Sequence, residues 1–102
     1  MKKLFVSQPM KGLSDEEILA TRKKILKEAE EITGEPLELI DSFITDEPDG
    51  SILNKPAYYL GESIKFLSQA DLVYFADGWS RARGCIIEHD VAEAYGLDII
   101  KD

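Results

Sequence analysis

Apolar residues along the chain fall into two kinds of pattern, and their alternation sets the expected architecture. Short apolar-rich segments at Lys3–Ser7, Leu37–Asp41, Asp71–Ala76 and Leu97–Ile100 have the length and bounding residues of strands. Between them lie longer stretches with helical spacing. Ser14-Asp15-Glu16-Glu17 is a capping box, in which Ser14 accepts from the Glu17 amide while Glu17 reaches back. Ile18, Ile25, Ala29 and Ile32 then recur on one face, flanked by Leu19 and Leu26. Lys23, Lys24, Lys27, Glu28, Glu30 and Glu31 supply the wet face, and Gly34 and Pro36 end the helix. A second helix is predicted from Tyr58 to Ala70 on Tyr59, Leu60, Ile64, Leu67 and Ala70. A third is marked by Ile87, Val91, Ala94 and Tyr95 and ended by Gly96. The polar stretch from Ser42 to Pro56 is long for a structureless connection, which makes it either functional or mobile.

The order β-α-β-α-β-α-β predicts a doubly wound, flavodoxin- or Rossmann-like α/β/α fold of three layers. Its short parallel sheet would have about four strands. Length places residues 1–102 in a single domain. Sites in such folds lie beyond the carboxyl ends of the strands, where the winding reverses. Three segments reach that edge: Ser7 to Gly12, Asp41 to Phe43, and Ala76 to Glu88.

Composition narrows the ligand. The formal net charge is -8, so the average surface repels a nucleic-acid polymer, although a local pocket can still be positive toward a small phosphorylated molecule. No segment has the apolar length of a membrane span, and Leu4-Phe5-Val6 is too short for a signal-peptide core. Cys85 is the sole cysteine and His89 the sole histidine, so no internal disulfide or zinc cluster can form. A metal site would rest on carboxylates. The expected compartment is the reducing cytoplasm.

Candidate chemistry concentrates on two loops. Ser7-Gln8-Pro9-Met10-Lys11-Gly12 joins a strand to a helix, where backbone amides and the Lys11 ammonium suit a phosphate or sugar hydroxyls. It is neither a P-loop nor GxGxxG, and a plain connection with Pro9 and Gly12 shaping the turn fits it equally well. The later loop carries Gly78, Trp79, Arg81, Arg83 and Gly84 ahead of Glu88. Arg81 and Arg83 can grip a phosphate or simply balance nearby acids. Trp79 can stack on a base or serve as a packed anchor. Glu88, expected in the first turn or so of the third helix, either complements the helix dipole or acts as a nucleophile on an anomeric carbon. The dipole would favour its ionised form. His89 points about 100° away around the helix, so no dyad with Glu88 is expected and its role reads as surface or structural. Asp71 sits at the opposite edge of the sheet and reads as structural.

The first loop, Gln69-Ala70-Asp71-Leu72-Val73-Tyr74, Gly78-Trp79 and Arg83-Gly84-Cys85-Ile86-Ile87-Glu88 together resemble a nucleoside 2-deoxyribosyltransferase-like family. The resemblance is nearest to its small uncharacterised members from phages and prophages and spans residues 3 to 100. It implies cleavage of the N-glycosidic bond of a 2′-deoxynucleoside or its 5′-monophosphate, with Glu88 as nucleophile and no metal or organic cofactor. Ser7, Gln8, Met10, Lys11 and Gly12 would cradle sugar or phosphate, and Arg81 or Arg83 would assist with anionic substrates. Gly78, Trp79 and Gly84 complete the implied binding set. The family carries an Asp on the helix before the third strand, and here that position holds Ser63, beside Glu62. Glu62 or Asp41 is then the available substitute for a missing general acid, whose absence would cost about 10²–10⁴ in rate. The chain has one strand fewer than the larger enzymes, so the resemblance implies a homo-oligomer in which a neighbouring subunit closes the pocket. Two rival expectations stand beside the enzyme: a non-catalytic module that sequesters or senses a nucleotide, and a structural protein that keeps the fold without a ligand.

Overall fold

The centre of the molecule is set by two apolar strands that bury side chains on both faces. In the computed structural model, which describes residues 1–44 and 46–102, β1 (Lys2–Ser7) pairs in parallel with β3 (Leu72–Phe75), with Leu4 opposite Leu72 and Ser7 opposite Phe75. β2 (Leu37–Leu39) flanks β1 on the outside, and β4 (Asp98–Lys101) flanks β3. The all-parallel order is β2-β1-β3-β4. Winding therefore reverses between β1 and β3, so the crevice expected of a doubly wound sheet opens beyond Ser7 and Phe75.

Alternation along the strands assigns the two faces. Leu4, Val6, Leu72 and Tyr74 pack with Ile25 and Ala29 of α1 (Asp15–Thr33). Phe5, Val73 and Phe75 point the other way, onto Leu67 of α2 (Lys55–Leu67) and Ala92 of α3 (Arg83–Ala94). One helix on one side and two on the other make the three-layer α/β/α fold anticipated from the pattern. Tyr74 donates to the Glu28 carboxylate at 2.6 Å and Lys101 does so at 2.8 Å, tying α1 to two strands.

Local chemistry explains where the elements begin and end. The Ser14–Glu17 capping box forms in both directions, and Gly34 leaves α1 at φ 71°, a left-handed conformation suited to glycine. The second helix starts at Lys55, ahead of the expected Tyr58. Asn54 accepts the Ala57 amide at 3.0 Å, and Pro56 sits in the first turn, where its missing N–H costs nothing. The last residues, to Ala70, are a turn rather than helix. β2 is three residues long; only the Ile40 amide, donating to Leu4 at 2.9 Å, continues the ladder before the chain turns away. A single 3-10 turn, Trp79–Arg81, precedes α3 and was not visible in the apolar pattern.

The inward face of α3 differs from expectation. Ile87, Ala94 and Tyr95 are exposed, whereas Cys85, Glu88, His89 and Ala92 form the buried stripe. Periodicity pointed to the large apolar residues, but two polar side chains with satisfied partners occupy the inner positions instead. Ile32 on α1 is likewise exposed. Among the described residues, no helix is long and apolar enough to cross a membrane.

Leu4 is fully buried and Leu53 is 97% exposed. Leu4→Ala is expected to lower unfolding free energy by about 2–5 kcal/mol. Leu53→Ala should change it by less than about 0.5 kcal/mol. Denaturant titration of both variants checks the assignment of the core.

Candidate active site

The crevice beyond β1 and β3 holds a cavity of about 380 Å³. Its walls are largely apolar: Phe5, Val6, Pro9, Met10, Phe43, Ile44, Pro56, Tyr59, Leu60 and Cys85 line it. Polar groups enter from Ser7, Gln8, Arg22, Ser42, Ser63 and Glu88. An apolar recess with a few convergent polar groups is the usual form of a small-molecule site.

Glu88 is the chemical centre. Its residue is 6% exposed, and the hydroxyl of Ser7, at the end of β1, donates to one carboxylate oxygen at 2.7 Å. Ser63, on α2, donates to the other oxygen. Three elements thus converge on one carboxylate. Burial pushes the Glu88 carboxyl above the ordinary glutamate value, opposed by the Ser63 hydroxyl, the Ser7 hydroxyl and then the Arg22 charge. Because α3 begins at Arg83, Glu88 lies in its second turn and not its first, so the dipole is a weak influence there. The expectation that the dipole keeps it ionised is therefore corrected: the hydroxyls and Arg22 favour the anion, and desolvation works against it.

The remaining predicted residues sort into three places. Ser7, Gln8, Met10, Ser63 and Gly84 line the Glu88 cavity. Lys11, Gly78, Arg81 and Arg83 line an adjoining cleft with Asp77, and Pro9, Ala82 and Gly84 belong to both. Gly78 holds φ 87° at this junction, and a Cβ there would meet Pro9 Cγ at 3.5 Å. A side chain would be strained by the backbone before it was crowded by space. Gly12, also at positive φ, lines neither recess.

Five residues stand elsewhere. Trp79 stacks on His89, with ring centroids 4.1 Å apart and planes 12° off parallel, and tilts against Phe75. It is a packed anchor and does not line the cavity. Glu62 faces Lys65 at 3.0 Å along the outside of α2. Asp41 is exposed and accepts the Phe43 amide at 3.4 Å, which helps turn the chain but does not bring its carboxylate to the cavity. Neither acid lines the cavity. His89 is buried and not a surface group; its ring nitrogens meet Glu93 at 3.0 Å and Asp102 at 2.9 Å. His89, Asp90 and Glu93 bring ligand-type atoms within 4.8 Å of one another, but both ring nitrogens of His89 already face carboxylates. Asp71 accepts the Lys3 amide at 2.7 Å at the far edge of the sheet, a structural role.

Arg22 and the aromatic wall are absent from the sequence-based candidates. The signal for Arg22 is its position: Ile18, Arg22, Ile25 and Ala29 share the buried stripe of α1, so a guanidinium occupies a core-facing place. Phe43 and Tyr59 lie in a loop and a helix whose convergence no spacing reveals. Cys85 also lines the cavity, but burial pushes its thiol upward, against nucleophilic use.

Comparison with known proteins places the chain. The family described as a domain of unknown function, DUF4406, matches residues 2–101. The chain belongs to this family. No curated protein matches the chain. A conserved protein from Enterococcus faecalis V583, known from its crystal structure, superposes with a TM-score of 0.61 at 17% sequence identity. The match covers 97% of this DUF4406 chain and 61% of that one, so the chain spans less than two thirds of its structural relative. At that identity the likeness concerns the fold alone.

The raised Glu88 pKa carries a stability consequence. The folded chain holds this proton more tightly than the unfolded chain does. Glu88's contribution therefore grows less favourable as pH rises from the ordinary glutamate value through the raised one. Glu88→Gln is expected to have a higher melting temperature than wild type at about pH 8, with the gap closing toward pH ~4. Melting curves across that range test it, and a gap that widens in acid contradicts the assignment.

Proposed function

We propose that this protein cleaves the N-glycosidic bond of a 2′-deoxynucleoside or its 5′-monophosphate, with Glu88 as nucleophile. The observation that carries the reading is a buried carboxylate, held by two hydroxyls from separate elements, in an apolar cavity sized for a small molecule. The resemblance of its loops to nucleoside 2-deoxyribosyltransferase-like proteins supplies the chemistry.

In the proposed reaction a Glu88 oxygen attacks the anomeric C1′ of the sugar. The C1′–N bond breaks, its electron pair leaves with the base, and a proton from solvent or a bound acid neutralises that nitrogen. Water or a second base then attacks C1′ and releases the ester, regenerating the carboxylate. Ser7 and Ser63 fix the carboxylate's orientation, and their donated bonds favour its ionised, nucleophilic form. Lys11, Arg81 and Arg83 give the adjoining cleft a positive character in a chain of net charge -8, which favours a phosphorylated substrate. No cofactor enters the scheme. The proposal includes a homo-oligomer whose second copy covers the open side of the cavity, where Met10 is 51% exposed.

One observation favours a second reading, a nucleotide-binding module without turnover. Among the described residues, Glu88 is the only carboxylate lining the cavity, so no second acid stands ready to protonate the leaving base.

Incubation with deoxynucleosides and their monophosphates, followed by chromatography for free base, separates the two. Base release abolished in Glu88→Ala supports the enzyme. Thermal stabilisation by an unconsumed ligand supports the binding module. Ser63→Ala removes a donor that favours the anion, so the acidic limb of the kcat/KM profile should move to higher pH. Arg81→Glu combined with Arg83→Glu is expected to raise KM for a monophosphate about tenfold or more, with little change for the nucleoside.

A further inference from the structure

Arg22 presents a buried cation with unused donors. The residue is 6% exposed and lines the Glu88 cavity, and its one hydrogen bond among the described residues runs from Nε to Gln8 Oε1 at 3.1 Å. Neither Nη has a protein partner there. Asp41 and Glu88 act on the guanidinium only through space, since no described carboxylate comes within 4.0 Å. Among the described residues no fully buried side-chain nitrogen or oxygen lacks a partner, so each Nη keeps some solvent exposure, and Arg22 is among the residues lining the cavity. The same reasoning applies to Gln8, also 6% exposed. Its Oε1 accepts from Arg22, which orients the amide and leaves the two Nε2 donors and one Oε1 lone pair free.

Two neighbouring side chains therefore offer several donors against a single remaining acceptor lone pair. A free glutamine amide, with one donor and one acceptor, matches adenine's N6–H and N7. An arginine fork matches the paired acceptors O6 and N7 of guanine. Here the Arg22–Gln8 bond takes one of the two Oε1 lone pairs and fixes the amide toward Arg22. The two side chains thus present mainly donors, which match O6 and N7 better than adenine's N6–H. The apolar wall of Phe43, Tyr59 and Leu60 suits a planar ring, while the cationic cleft on the other side suits a phosphate.

We propose that Arg22 and Gln8 form the base-reading element of the cavity and select a 6-oxopurine, guanine or hypoxanthine, over adenine. This rests on the nucleotide reading above and specifies its substrate class. The pair is a specificity element and takes no part in bond cleavage.

The test uses the 2′-deoxynucleoside 5′-monophosphates of guanine, hypoxanthine, adenine, cytosine and thymine. Kd is measured by calorimetry, and kcat/KM wherever base is released. Wild type is expected to prefer guanine and hypoxanthine over adenine by roughly 10- to 100-fold. Gln8→Glu keeps an acceptor for Arg22 Nε and replaces the Nε2 donor by an acceptor, so it should shrink that preference toward parity or reverse it. Arg22→Lys retains the charge without the fork and should lose the preference as well, which guards against one variant failing to fold. Equal handling of guanine and adenine, preference for a pyrimidine, or a folded variant with the wild-type ratio overturns this subsite alone. A chain that engages none of the nucleotides overturns the nucleotide reading and this inference together.

Discussion

Parallel pairing of β1 with β3 is the constraint on which the site depends. Leu4 to Ser7 lie beside Leu72 to Phe75, and the Ala76 amide donates to the Ser7 carbonyl at 2.9 Å. That last bond fixes the level at which both strands stop. Because connections from β1 and β3 leave toward opposite sides, the backbone separates there and leaves a hollow instead of a packed layer. Ser7 is both the final residue of β1 and a donor to Glu88, so the same residue ends the sheet and begins the site.

The cavity illustrates how a buried charge is tolerated. Glu88 is removed from most of the water, a change that disfavours its anion, and the structure answers with two hydroxyl donors and a distant guanidinium. Arg22 faces the reciprocal problem. Burial works against its charge, and Asp41 and Glu88 offset that through space. Neither group is neutralised by direct contact with the other, so both keep capacity for an additional partner. A closed salt bridge would have used that capacity within the protein.

Several particulars of this arrangement were legible in the amino-acid order. Strand runs, the Ser14–Glu17 cap and the positions of Gly34 and Gly78 are local features, governed by neighbours within a few residues. Glu88 and the loop from Ser7 could be singled out because motif and strand end coincide. Arg22 is masked by Lys23 and Lys24, which mark a solvated face, while its spacing with Ile18, Ile25 and Ala29 puts it on the buried stripe. Trp79, Glu62 and Asp41 each lie close in sequence to cavity residues, but their side chains turn to His89, Lys65 and the Phe43 amide.

The sequence by itself determined the alternation of strand and helix, the parallel sheet, the limits of α1 and a net charge of -8. These follow from periodicity, capping and charge count, which need no knowledge of distant partners. Tertiary structure alone decided that Ser7, Ser63 and Glu88 meet, that Arg22 and Gln8 face inward together, and that the basic residues occupy a separate cleft. Such facts arise from contacts between residues up to 81 positions apart in the chain. Their geometry is set by how helices rotate to satisfy polar groups as well as apolar ones, and no local spacing encodes that choice.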